Sequence, residues 1–122
     1  MFAKEMGLML YVDDVTAEKA FWAAAGFQIQ NEAKMMGYET FDMKSHAEAT
    51  TTITVYANDF IRQVSPEVID MKPSILFESD DIHGLQKKIA TLTDTCSPVT
   101  EEPFPNFNFA SPSGIYFAVK ES

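Results

Sequence analysis

An apolar strand that runs into two aspartates occurs twice in this chain. The first copy is Met9-Leu10-Tyr11-Val12-Asp13-Asp14-Val15 and the second is Leu76-Phe77-Glu78-Ser79-Asp80-Asp81-Ile82. They lie about 67 residues apart, and in a 122-residue chain a period of that size means two halves of one design. In both copies an aspartate stands where it can accept backbone N–H groups at the start of an amphipathic helix and complement the positive end of its dipole.

The first half reads strand, helix, strand, strand, strand. Gly7 to Val12 alternates, with Leu8, Leu10 and Val12 on one face and Gly7, Met9 and Tyr11 on the other. A helix with Val15, Phe21, Trp22 and Ala25 near helical spacing follows, and Gly26 supplies a left-handed stop. Residues 27–33, 37–43 and 50–56 have strand composition. The second half repeats the order: a strand at 74–79, a helix carrying Ile82, Leu85, Ile89 and Leu92, then shorter strands near 97–100, 107–110 and 115–120. Ser111-Pro112-Ser113-Gly114 joins the last two as a tight turn. The expectation is a single α+β domain over residues 1–122, with repeat one at about 5–57, a connection at about 58–72 and repeat two at about 73–122.

With 46% hydrophobic and 22% charged residues, the chain can bury a core without staples. No apolar run approaches a membrane span, and the N-terminal stretch does not read as a signal peptide, so a cytoplasmic protein is expected. A net charge of −9 repels phosphate backbones and anionic membranes, which argues against nucleic acid and membrane partners and would favour a cationic ligand. Cys96 is alone, which excludes an intramolecular disulfide, and it has no paired His or second Cys for zinc. His46 sits in a polar loop and His83 in the first turn of the second helix, and both read as surface residues.

The sequence resembles the vicinal oxygen chelate superfamily, which contains glyoxalase I, extradiol dioxygenases, and fosfomycin- and bleomycin-resistance proteins. The resemblance is carried by Leu10-Tyr11-Val12-Asp13-Asp14-Val15 with Ala20-Phe21-Trp22 and Ala25-Gly26-Phe27, by Phe77-Glu78-Ser79-Asp80-Asp81-Ile82, and by Ser111-Pro112-Ser113-Gly114-Ile115-Tyr116-Phe117. It implies two βαβββ units whose curved mixed sheets surround a cavity, helices outside, and a homodimer. In metal-dependent members a divalent ion is held from four positions, which fall here at Gly7, within 50–56, at Ser74 and at Ala118. Gly and Ala offer no donor, Ser and Thr are weak ones, and residues 50–56 contain no His, Asp or Glu. The resemblance is thus to the metal-free, bleomycin-resistance-like branch, with no metal and no cofactor.

If Gly7 and Ser74 point inward, alternation turns Met9, Tyr11, Leu76 and Glu78 inward too, and Ala118 brings Tyr116 and Lys120. The opposite sets, Leu8-Leu10-Val12, Ile75-Phe77 and Ile115-Phe117-Val119, become core beneath the helices. Further candidate cavity residues are Trp22, Tyr38, Phe41, Tyr56, Phe104, Phe107 and Phe109. A Met- and Tyr-rich lining with a single carboxylate suits an apolar pocket for a hydrophobic or cationic small molecule, with Glu78 as counter-charge and no catalytic residue. Two other readings stay open. One is a metal-dependent lyase, isomerase or dioxygenase of the glyoxalase kind with its ligands elsewhere; the other is a degenerate dimeric module acting through protein partners.

Overall fold

The structure is a computed structural model that describes residues 1–122. It divides into two compact units, Met1–Pro73 and Ser74–Ser122.

In the first unit, β1 (Leu8–Val12) leads into α1 (Val15–Ala25), followed by β2 (Gln28–Met35), β3 (Tyr38–Lys44) and β4 (Ile53–Ala57). Asp14 caps α1 by accepting the Ala17 N–H at 3.0 Å. Gly26 ends the helix in the left-handed region at φ 105°, where a Cβ would be strained. The sheet order is β1-β4-β3-β2, with β1 parallel to β4 and the other pairs antiparallel. Because directly paired residues share a face, the register sorts the side chains. Leu10 pairs with Val55 and Val55 with Phe41; Ile53 pairs with Met43. All of these are at most 5% exposed. This is the face beneath α1, which packs on β2, β3 and β4 and contributes Phe21, Trp22 and Ala25.

Trp22 is wholly buried, with its ring 5.2 Å from Phe21 and 4.6 Å from Phe27 between centroids. Its indole Nε1 donates to Glu18 Oε2 at 2.8 Å, one helical turn earlier. Glu18 is also wholly buried, so this bond satisfies a carboxylate that would otherwise be costly to bury. Leu8 departs from the expected core set: at 40% exposure it stands at the entry to an edge strand.

The 58–72 connection contains structure that residue patterning around Pro66 does not suggest. A short helix, α2 (Asn58–Val64), starts directly after β4, and a 3-10 turn spans Pro66–Val68. Asn58 Nδ2 donates to Asp13 Oδ1 at 2.6 Å, fastening the start of α2 to the end of β1.

The β2–β3 hairpin turns on Met36 and Gly37, with φ 51° and 84°, between paired Met35 and Tyr38. Two positive φ values are what a two-residue type I′ turn requires, and Asn-Gly meets that need at lower cost than Met-Gly. Met36→Asn is expected to raise stability by about 1 kcal/mol, read as a higher urea midpoint with unchanged slope.

The second unit contains β5 (Leu76–Ser79), α3 (Ile82–Ala90), β6 (Asn106–Ala110) and β7 (Tyr116–Glu121), with sheet order β5-β7-β6. Asp81 caps α3 by accepting the Gly84 N–H at 3.0 Å. Phe77, Phe117 and Phe109 form a row across the sheet, with successive ring centroids 5.8 Å apart. They share their face with Phe107 and Val119, and α3, carrying buried Ile82 and Ile89, packs on β6 and β7.

The strand expected near 97–100 does not form, apart from a single bridge between Thr100 and Asn106. Pro98 has no N–H to give a ladder. The edge of β6 is met partly by backbone, with Ser97 N donating to Asn108 O at 2.8 Å, and partly by hydroxyls: Asn108 N donates to Ser97 Oγ at 3.0 Å and Ala110 N to Thr95 Oγ1 at 2.8 Å. The backbone groups of β6 are thereby satisfied without a fourth strand.

Candidate functional site

Each sheet has one face packed under its long helix and one face turned away from it. In the first unit the second face carries Met9, Tyr11, Thr54, Tyr56, Thr40, Asp42 and Tyr38, as the pairing of Met9 with Thr54, Thr54 with Asp42, and Tyr11 with Tyr56 requires. Met9 is 47% exposed and Tyr38 and Tyr56 are half-buried, whereas Tyr11 is only 4% exposed. Phe60, on α2, lies over this face: its ring centroid is 5.4 Å from Tyr56 in a stacked arrangement and 5.9 Å from Tyr38. Tyr11, Tyr56, Tyr38 and Phe60 thus form an aromatic group partly roofed by α2. Phe60 escaped the sequence reading because it falls in a segment read as connection. Its spacing of four residues from Tyr56, across a strand-to-helix junction, was the available signal.

Burial pushes the Tyr11 hydroxyl above its ordinary value of 10.0, and the neighbouring Tyr56 adds to the effect. The folded state therefore favours the neutral phenol. The resulting stability is present below the unfolded value and is lost as pH rises through the folded one. In an ultraviolet alkaline titration, Tyr11→Phe is expected to remove a late-ionising phenol and to reduce the stability lost between mildly and strongly alkaline buffer.

Asp42 supplies this face with a carboxylate. Its Oδ1 accepts from Thr54 Oγ1 at 2.7 Å and its Oδ2 from Asn31 Nδ2 at 2.9 Å. Asn31 sits at a bulge in β2, where the register slips between Gln30 and Ala33, and its φ is 53°. Asn tolerates the left-handed region better than most residues, and bulges commonly re-aim a side chain.

In the second unit the face away from α3 carries Leu76, Glu78, Asn106, Asn108, Tyr116, Ala118 and Lys120. Leu76 is 50% and Tyr116 61% exposed. Glu78 is paired in register with Lys120, so the expected counter-charge has a cation beside it. Phe104 is exposed on the loop before β6, with Lys120 Nζ 5.9 Å from its ring centroid, a cation–π contact.

Four of the aromatic candidates lie elsewhere. Phe41 is paired with Val55 on the face beneath α1, and Trp22 belongs to that helix's own buried side. Phe107 and Phe109 belong to the aromatic layer beneath α3. Sequence alone gave β3 and β6 no phase, and a strand out of phase by one residue exchanges its two faces.

The metal positions implied by the family resemblance can be tested against their surroundings. Gly7 faces open space, in a hollow of about 780 Å³ lined by Lys4, Glu5, Met6, Leu8, Thr50 and Thr51, with Glu5 its one carboxylate. On β4 the residues of the same face as Met9 are Thr54 and Tyr56, and Ala118 pairs with Leu76. No three His, Cys, Asp or Glu side chains gather anywhere in the structure. These donors do not fit a divalent ion. Burial raises the Cys96 thiol, against a weaker opposing hydrogen bond to Gln86, which disfavours a nucleophilic role. His46 and His83 are exposed. A second hollow, of about 280 Å³ beside α1, is lined by Lys19, Glu32, Lys34 and Glu39, of which Lys19 pairs with Glu32 at 2.6 Å and Glu39 accepts from Thr16 Oγ1 at 3.1 Å.

No family model matches the sequence, and no curated protein matches it either. Solved structures do match. A hypothetical protein from S. aureus superposes with a TM-score of 0.81 at 18% identity, over 100% of this chain and 96% of that one. The bleomycin-binding protein of Streptomyces verticillus, solved with copper(II)-bleomycin, gives 0.67 at 17% identity, over 100% and 98%. Lactoylglutathione lyase from Agrobacterium tumefaciens gives 0.68 at 16%, over 100% and 96%.

The chain has the glyoxalase/bleomycin-resistance fold.

That fold serves binding proteins and enzymes alike, so function has to be argued from the site. No helix is long and apolar enough to cross a membrane.

Proposed function

We propose that this protein binds a hydrophobic or cationic small molecule, with an aromatic ring system, on the sheet faces turned away from α1 and α3, without metal-dependent chemistry. The observation that carries the proposal is the contrast between the two faces of each sheet. One face is closed by packing, while the other leaves Met9 about half exposed with half-buried Tyr38 and Tyr56 in the first unit, and Leu76 and Tyr116 half exposed or more in the second. Large apolar side chains on a sheet are ordinarily covered, so their exposure on each of these faces, with polar groups among them, supports a ligand-binding surface. The bleomycin-binding protein with the same fold makes an antibiotic ligand of this kind reasonable. The net charge of −9 favours a cation by long-range attraction.

The proposal includes a homodimer. Exposed Met6 and Leu8 at the start of edge strand β1 support it, and sedimentation equilibrium is expected to give twice the chain mass.

Calorimetric screening of planar aromatic cations is expected to find a ligand that also raises the melting temperature. Tyr56→Ala should weaken that binding. A broad screen without a stabilising compound, or tight stoichiometric divalent metal in the purified protein, would overturn the proposal.

A further inference from the structure

We infer that Asp42 is the group that selects for positive charge, and that the bulge at Asn31 exists to hold it in place. The inference rests on the ligand-binding reading above and specifies it: the ligand is a planar aromatic cation whose charge lies over β3 while its ring lies against Tyr56, beside Phe60.

Three observations lead there. The first is position. Asp42 shares a cross-strand row with Thr54 and Met9, and the adjacent row on the same face is Tyr11, Tyr56 and Thr40. Rows on one face are about 7 Å apart, and β3 and β1 are about 10 Å apart across β4. A fused tricyclic ring is of that size, so one molecule can lie against the part of half-buried Tyr56 that Phe60 leaves uncovered and still bring a ring nitrogen to the carboxylate.

The second is the hydrogen bonding. Each oxygen of Asp42 accepts one bond from a neutral donor, Thr54 Oγ1 and Asn31 Nδ2, and neither oxygen is in an ion pair. Lys44, two residues on and on the same face, does not reach it. A carboxylate has about four acceptor sites, so Asp42 is oriented but keeps both its charge and free acceptor capacity. Glu78 is different, because Lys120 stands beside it in register.

The third is the backbone. A bulge and a left-handed residue are unneeded for a hairpin that otherwise pairs regularly from Gln28 to Met35, yet together they deliver Asn31 to Asp42. Thr54 and Asn31 are positioning residues, since each acts through the carboxylate.

The test uses two probes of nearly the same shape, N-methylacridinium and acridine, titrated by fluorescence in a mildly alkaline buffer where acridine is neutral. The wild-type protein is expected to prefer the cation by about tenfold or more. Asp42→Asn should abolish most of that preference by weakening the cation and leaving acridine nearly unchanged. Asn31→Ala, which keeps the charge and loses its orientation, should lose part of it, and Thr54→Ser, which keeps a hydroxyl, should retain it. Glu67→Gln removes one negative charge from the exposed 3-10 turn and should not alter the preference. If wild type binds both probes equally, or Asp42→Asn keeps the preference, the role of Asp42 is overturned while ligand binding stands. If wild type binds neither probe, both fail together.

Discussion

Trp22→Ala is expected to cost about 3–5 kcal/mol, a large part of the roughly 5–15 kcal/mol that holds a domain of this size. The melting temperature should fall by about 10–20 °C. Two effects combine. A wholly buried indole in ring contact with Phe21 and Phe27 leaves a cavity, and buried Glu18 loses the Nε1 donor at 2.8 Å. Trp22→Phe separates them, since it keeps most of the volume and removes only the donor. It should therefore cost less than alanine but more than a surface change. Calorimetric unfolding of the three proteins checks the order. Any ligand bound by the wild type should still bind folded Trp22→Ala with nearly unchanged affinity at low temperature. A selective loss of affinity would return Trp22 to the site.

The second large effect divides two adjacent residues. Phe117→Ala should destabilise by about 3–5 kcal/mol, because Phe117 is 2% exposed and is stacked between Phe77 and Phe109. Tyr116→Ala, one residue earlier and 61% exposed, should change stability by about 0.5 kcal/mol or less. Denaturant unfolding gives both values. Equal, large losses would mean that Tyr116 is core in the assembled protein and that the face away from α3 is closed. That outcome would favour an interaction module over a ligand-binding surface.

The contrast between Tyr116 and Phe117 was readable before any coordinates, and so was much of the fold. The duplicated strand with its two aspartates announced two related halves, and Asp14 and Asp81 do cap α1 and α3. Alternation in β1 separated Met9 from Leu10, and in β7 Tyr116 from Phe117, because a strand followed by a helix has its phase set by the residues the helix must cover. The 97–100 segment resembles a strand through its β-branched residues, but Pro98 interrupts its donors, and Thr95 and Ser97 accept from β6 through their hydroxyls rather than their carbonyls.

What the sequence by itself determined is therefore the set of elements joined by short-range rules: caps, helix stops, and the two faces of the strands adjoining a helix. Only the tertiary structure decided which residues from distant segments share a face. It moved Phe41 and Phe107 beneath the helices and brought Phe60 over Tyr56. It also joined Asn31, Asp42 and Thr54 into one hydrogen-bonded group. The physical reason is register. Cross-strand pairing and a one-residue bulge are set by the packing of the whole sheet, and a shift of one residue, invisible in composition, exchanges the buried side of a strand for the exposed one.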